Sequence, residues 1–348
     1  MEKSGQHYLS MLCHISELSE VTSDGTGIDL MAHTNILGEL SIERELKVDG
    51  TGLSQREFPF LVQSTFPSEE EQFRIYRRLF FEAGGSAVVI RTFDLAGNTI
   101  FPVTDHHVEA KSQPGLRSTR YPLKEKNIFD QQIRAILRAA AGHDKCAILF
   151  PLISSVNEFR RARHHVNECL SELSGQHIPH NRNPLTGAMI ELSSTAGLVD
   201  EIAEEVDFAF IGISDLVRYM LINDRGNEQI EEYYQPFHPS VLRVLKKIAE
   251  AYISRNKIIS VCGEQVHERD YLRFLLGTGF RNFSADPRFM PAMRRHIGDC
   301  QIAEAQCFAD ALLRQKTVAD VHTEINDYLQ LEYPPELSHG SCPAFGSK

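Results

Sequence analysis

At 348 residues, 42% hydrophobic and 24% charged, the chain can bury a large core as one α/β domain or two small ones. Its net charge of −11 argues against a nucleic-acid footprint, which would need a basic stripe, so any anionic ligand must be held by local arginines against the overall field. No apolar run reaches the ~18 residues of a membrane span, and the N-terminus lacks a secretory core. Seven scattered cysteines without a CxxC pair point to a reduced, cytoplasmic setting rather than a disulfide framework or a zinc site.

Residues 1–28 read as a short helix, YLSMLCHISEL, and a polar loop, VTSDGTG. An alternation of apolar strands and helices follows. The predicted strands are 30–36, 46–54, 86–94, 146–153, 187–192, 207–213, 257–264 and 280–286. The first helix opens at Pro67-Ser68-Glu69-Glu70, with acids in its first turn as the helix dipole prefers. Gln131 to Ala141 is rich in strong helix formers. Then come SVNEFRRARHHVNECLSEL, STAGLVDEIAEEV, PSVLRVLKKIAEAYI and HERDYLRFLL, the last with a stop expected at Gly277.

Eight strands alternating with helices is the count of a (β/α)8 TIM barrel over residues 29–333, with an open doubly wound sheet as the other arrangement of the same pattern. The 95–130 connection, containing His106 and His107, is too long for a plain βα loop and is expected to form a lid or excursion over the barrel mouth. After Asp286 come two or three extra helices, and residues 334–348 read as a flexible tail.

In a barrel the C-terminal strand ends share one face, where ligands bind. The polar residues there are Gln55 or Arg56, Arg91, Glu191, Ser214 with Asp215, Cys262 to Glu264, and Ser284. Glu191 and Asp215 each close an apolar run, TGAMIEL and DFAFIGI, and two such carboxylates suit a hard cation such as Mg2+. The plain alternative is that both cap the helices after them. Arg91, inside VVIRTFD, suits a phosphate or carboxylate, or else an ion pair with Asp94 or Glu191. Arg225, in NDRGN, also fits an exposed turn. Cys262, in SVCGEQ, can be a nucleophile, a general acid at a carbanion, or a packed free thiol.

These residues lie in blocks that resemble a known family. GTGLSQREF, PSEEEQFRIYRR, VVIRTFD, QIRAILRA, ILFPLISSVNEF, GAMIEL, DFAFIGISDL, DRGNEQIEEYYQPFHPSVLRVL, SVCGE and LLGTGFRNFSAD occur in order. From about Asn35 to Leu329 the chain resembles the C-terminal phosphoenolpyruvate (PEP)-binding barrel of Enzyme I, the PEP–protein phosphotransferase of the bacterial sugar phosphotransferase system. Related barrels occur in pyruvate phosphate dikinase and PEP synthase. The resemblance implies Mg2+ held by Glu191 and Asp215, and PEP or pyruvate as ligand, its phosphate on Arg91, Arg117 and Arg225. It implies further substrate contacts from Ser214 and Asp215, and Cys262 as the acid at the enolpyruvate carbon. It also implies a homodimer. The phosphoaccepting histidine of Enzyme I lies in an N-terminal domain whose motif matches none of the 15 histidines here, so a separate protein is expected to carry it.

The chain departs from the pattern at several points. Gln55 replaces an arginine, Thr99 a lysine, Ile213 a threonine, Ser214 an asparagine and Arg218 a glutamine, while Ser193 stands at a family proline. Loss of one arginine–phosphate contact, worth roughly 1.5–3 kcal/mol, weakens PEP about 10–100-fold. The expectation is therefore a Mg2+-dependent PEP/pyruvate-binding barrel. The alternatives are a catalytically degenerate barrel serving as a regulatory or scaffold partner, and a metal-dependent 2-oxo-acid lyase or aldolase working by metal-enolate chemistry.

Overall fold

The computed structural model describes residues 20–34, 51–54, 66–94, 119, 126–223 and 228–332. Eight parallel strands form a closed barrel: β2 (Gly27–Thr34), β3 (Thr51–Ser54), β4 (Val88–Arg91), β5 (Cys146–Phe150), β6 (Leu185–Ile190), β7 (Phe208–Gly212), β8 (Ile258–Cys262) and β9 (Asn282–Ala285). Each pairs with the next, and β9 returns to pair with β2, Asp29 to Ala32 lying against Asn282 to Ala285. Closure decides between the two arrangements that the strand count allowed. The fold is the TIM-like barrel, with no open edge between its first and last parallel strands.

Side-chain parity along the strands sorts the core into two layers. Met31, Val89, Ala147, Leu149, Met189, Phe208, Phe210 and Cys262 fill the barrel interior. The larger layer lies between the barrel and the helices, where Ile90, Ile148, Ile190 and Ile211 from the opposite parity meet helix side chains such as Ile133, Ile136 and Leu245.

The helices follow the sequence pattern, with instructive departures. Helix α1 (Glu69–Ala83) opens on a capping box between Ser68 and Glu71. Helix α2 (Lys126–Ala139) begins a turn earlier than its composition predicts, because Phe129 is buried against Phe150 with ring centroids 6.0 Å apart. Residues 126–130 thus leave the long connection and join the helix. Helix α3 (Val156–Gly175) caps on Ser155. The segment read as one helix, STAGLVDEIAEEV, is two, α4 (Ser193–Gly197) and α5 (Val199–Glu205), broken at Leu198. Helices α6 (Ile213–Leu221) and α7 (Pro239–Ile253) follow β7.

Helix α8 (Arg269–Thr278) runs through Gly277 and stops at Gly279, which has φ +109°. Gly277 is not the stop. A Cβ there would sit 2.0 Å from the Ala305 carbonyl oxygen of α10 (Ile302–Arg314), so it is the bare surface on which α10 rests. Helices α9 (Met290–Gly298) and α11 (Val318–Glu332) complete the C-terminal additions.

The polar stretch VTSDGTG is a hairpin rather than a loop. Strand β1 (Glu20–Val21) pairs antiparallel with Gly27–Ile28 at the N-terminal end of the barrel. Ser23 Oγ donates to the Cys300 carbonyl at 2.8 Å and Asp24 Oδ2 accepts the Ile302 amide at 2.8 Å, tying this face to the start of α10. The predicted helix at 8–18, the tail at 334–348 and His106 and His107 lie outside the described residues.

Candidate active site

The inward row of side chains turns polar where the strands reach the C-terminal face. On β4 the inward Val89 is followed two residues later by Arg91, and beyond β6 the inward Met189 is followed by Glu191. On β7 Phe210 is followed by Gly212, and β8 ends inward with Cys262, paired with Gly212. Parity alone therefore brings Arg91, Glu191 and Cys262 to one mouth. Asp215 joins from the first turn of α6.

Glu191 is 0% exposed. Its Oε2 accepts the backbone N–H of Leu152 at 2.9 Å, while its Oε1 is buried with no hydrogen-bond partner among the described residues. Burial, and then the charge of Asp215, push its pKa up to about 8, against the pull of Arg91 and the Leu152 amide. Space for this carboxylate comes from Gly212, where a Cβ would lie 3.0 Å from Glu191 Cγ and Oε1 and 3.1 Å from Met189 Cε. Glu191 caps no helix: the N-cap of α4 is Leu192, without a side-chain bond. Asp215 does lie in the favourable first turn of α6, whose own N-cap is Gly212.

Cys262 is buried and donates from Sγ to the Ile211 carbonyl at 3.3 Å. Burial and the negative charges of Glu191 and Asp215 push its pKa well up, with Arg91 opposing. The thiol thus keeps its proton at neutral pH, which suits an acid and argues against the nucleophile reading. Arg91 is 8% exposed, and its charge reaches both Glu191 and Cys262.

Ser214 donates from Oγ to Gln265 Oε1 at 3.2 Å and accepts the Glu264 amide at 3.3 Å, linking α6 to the segment after β8. Ile213 is fully buried in the core. Gln55, Arg117 and Arg225, as well as Thr99, lie outside the described residues. From the long connection Thr119 is described: it is buried, and its Oγ1 donates to the Pro151 carbonyl at 2.5 Å, just beyond β5.

Two participants had no mark in the sequence. Leu152 adopts φ +50°, costly for a residue with a bulky side chain, at the position whose amide donates to Glu191. Tyr234 stacks against Arg218, and its hydroxyl lies by Ser214 and Gln265. Gly212 did carry a signal, a glycine closing an otherwise apolar strand.

The donor set fits a hard divalent cation: oxygen ligands, one of them a buried carboxylate oxygen with nothing to accept. Fold and mouth together define a closed parallel barrel with a carboxylate pair, a guanidinium and a protonated thiol at its C-terminal face. Residues 12–302 match the family described as "PEP-utilising enzyme, PEP-binding domain", and the chain belongs to that family.

The chain is 33% identical over 318 residues to the phosphoenolpyruvate-protein phosphotransferase of Haemophilus influenzae, covering 91% of this chain and 55% of that protein. It is 32% identical over 316 residues to the Staphylococcus aureus protein of the same name, covering 91% and 55%. It thus spans about half the length of these relatives. A citrate lyase structure from Burkholderia xenovorans aligns with TM-score 0.47 and 16% identity over 95% of this chain and 97% of that one. No helix among the described residues is long and apolar enough to cross a membrane.

Proposed function

We propose that the chain binds PEP or pyruvate together with Mg2+ at this mouth, and passes the phosphoryl group of PEP to a histidine on a separate protein. The observation that carries the reading is Glu191, a fully buried acid whose second oxygen has no partner among the described residues and whose neighbour is another carboxylate. Burying an ionised carboxylate this way is unfavourable: without a cation the acid holds a proton, and a cation offsets its charge once it ionises.

In this reading Glu191 and Asp215 hold Mg2+, which when bound supplies positive charge beside the enolate oxygen. Arg91, with Arg117 and Arg225, orients the phosphate through paired N–H donors. Ser214 and Asp215 face the substrate, and Gln55 makes a neutral contact in place of an arginine. As the phosphorus–oxygen bond of PEP breaks and phosphorus bonds to the acceptor imidazole, the enolate left behind takes a proton at C3. Cys262 delivers that proton, and solvent restores it to sulfur. The closed, apolar barrel floor beneath the mouth keeps bulk water from C3. The family-type homodimer belongs to the same reading and would register in sedimentation.

Isothermal titration of PEP, with Mg2+ and with EDTA, tests the proposal. The expected result is Mg2+-dependent binding that Asp215→Ala weakens at least 100-fold. Metal-independent binding, or none, would overturn it; absent binding together with a stable protein partner would favour the regulatory reading.

A further inference from the structure

Arg218 stands one helical turn beyond Asp215 on α6, so the two share a helix face. Its guanidinium carbon lies 4.6 Å from the centre of the Tyr234 ring, and its Nη1 donates to Asn223 Oδ1 at 3.1 Å. Asn223 is itself buried and anchored, donating from Nδ2 to the Ile230 carbonyl at 2.5 Å. The guanidinium is thus held in plane from one face and one edge. Its Nε is buried with no acceptor, and among the described residues no carboxylate pairs with it.

Acids outnumber lysines and arginines by 47 to 36, and several guanidiniums find them: Arg134 meets Glu69 at 2.8 Å, Arg163 meets Glu205 at 2.7 Å and Arg255 meets Asp200 at 2.9 Å. Arg243 and Arg281 instead donate to main-chain carbonyls, whereas the Arg218 Nε meets no acceptor among the described residues. Fixing a long cationic side chain without an anion gives up rotamer freedom and leaves a buried donor unmet, with no ion pair to offset either. Among the described residues no anion offsets these costs, and one that reaches the fork does so. A flat fork held by its aromatic face suits a carboxylate, and it lies one turn along the helix from Asp215.

We propose that Arg218 is a specificity-determining residue, and that the mouth selects 2-oxo acids, or their enol phosphates, that carry a second carboxylate. The proposal rests on the Mg2+–acid reading above and narrows its substrate class. Tyr234 and Asn223 are positioning residues for the fork. The hydroxyl of Tyr234, beside Ser214 and Gln265, connects the clamp to the segment that approaches Asp215.

The test is titration of the full chain in Mg2+ with acids matched in length: oxaloacetate against 2-oxobutyrate, and 2-oxoglutarate against 2-oxovalerate, with PEP as reference. The intact chain should prefer the dicarboxylate of at least one pair by roughly ten- to a hundred-fold. Arg218→Gln should abolish that ratio and Arg218→Lys should retain part of it, whereas a merely structural role would lower both members of a pair equally. Mg2+-dependent PEP binding with no preference within either pair, or a preference that survives in Arg218→Gln, overturns the specificity proposal alone. A chain that binds none of these acids, PEP included, overturns the underlying reading as well.

Discussion

Glu191→Gln separates the burial of this acid from its charge. With its pKa raised from an ordinary 4.5 to about 8 by burial and by Asp215, the folded, metal-free chain holds a proton that the unfolded chain releases. An acid whose folded pKa lies above its unfolded value loses stability as pH rises between the two. The window here is about 4.5 to about 8, with a limiting slope of about 1.4 kcal/mol per pH unit. By pH 7 the loss is about 3 kcal/mol, or about 4 °C in Tm for a chain of 348 residues. Glutamine keeps an acceptor for the Leu152 amide and cannot ionise. It also places an NH2 group where a bare oxygen lay, a constant penalty of about 1–3 kcal/mol that does not vary with pH. The assay is thermal melting of both chains in EDTA from pH 5 to 9, taking the difference between them. That difference cancels the imidazoles His143, His267 and His296, whose pKa values burial lowers in both chains. The wild type should decline relative to the variant as pH rises. Mg2+ should restore it increasingly toward high pH, because ligation needs the ionised carboxylate. Parallel curves in EDTA would refute the reasoning, as would a Mg2+ effect equal in both proteins.

Three other predictions follow from single contacts. Gly212→Ala should weaken Mg2+ binding with little change in Tm, because the added methyl presses on Glu191 Oε1 at 3.0 Å and that oxygen must move by a few tenths of an ångström; unchanged metal affinity by titration would count against the placement. Among the described cysteines, iodoacetamide at pH 7.5 should label the exposed Cys307 first and leave the buried Cys146 and Cys262 untouched, since burial raises both of the latter thiols; peptide mass spectrometry showing early labelling of Cys262 would contradict this. Ser68→Ala removes the α1 capping box and should cost about 1 kcal/mol in denaturant melts without altering PEP binding, whereas a cost near zero would mean the cap is satisfied by solvent.

What the sequence made legible follows from parity. Once a strand is recognised, every second residue faces the barrel interior, and a polar residue continuing that row at the C-terminal end has only the mouth to face. Arg91, Glu191 and Cys262 can therefore be placed on one face before any coordinates, whereas Asp215, which also reads as the close of an apolar strand, lies in the first turn of α6. Contributions from loops and from the far end of a helix carry no such rule. The Leu152 amide donates to Glu191 from a residue at φ +50°, and nothing in ILFPLISS marks it. The clamp on Arg218 assembles from residues 223 and 234, beyond the end of α6 and joined by no periodicity. The hairpin at Glu20–Val21 is too short to show alternation, and α2 gains its first turn from Phe129 meeting Phe150, a tertiary contact that overrides weak local propensity. The residues legible in advance are thus those that a strand positions. Those that tune the site, by turning one amide or holding one guanidinium flat, are set by backbone geometry and by neighbours distant in sequence, and a mouth can keep its metal ligands while its choice of acid is altered at a position such as 218.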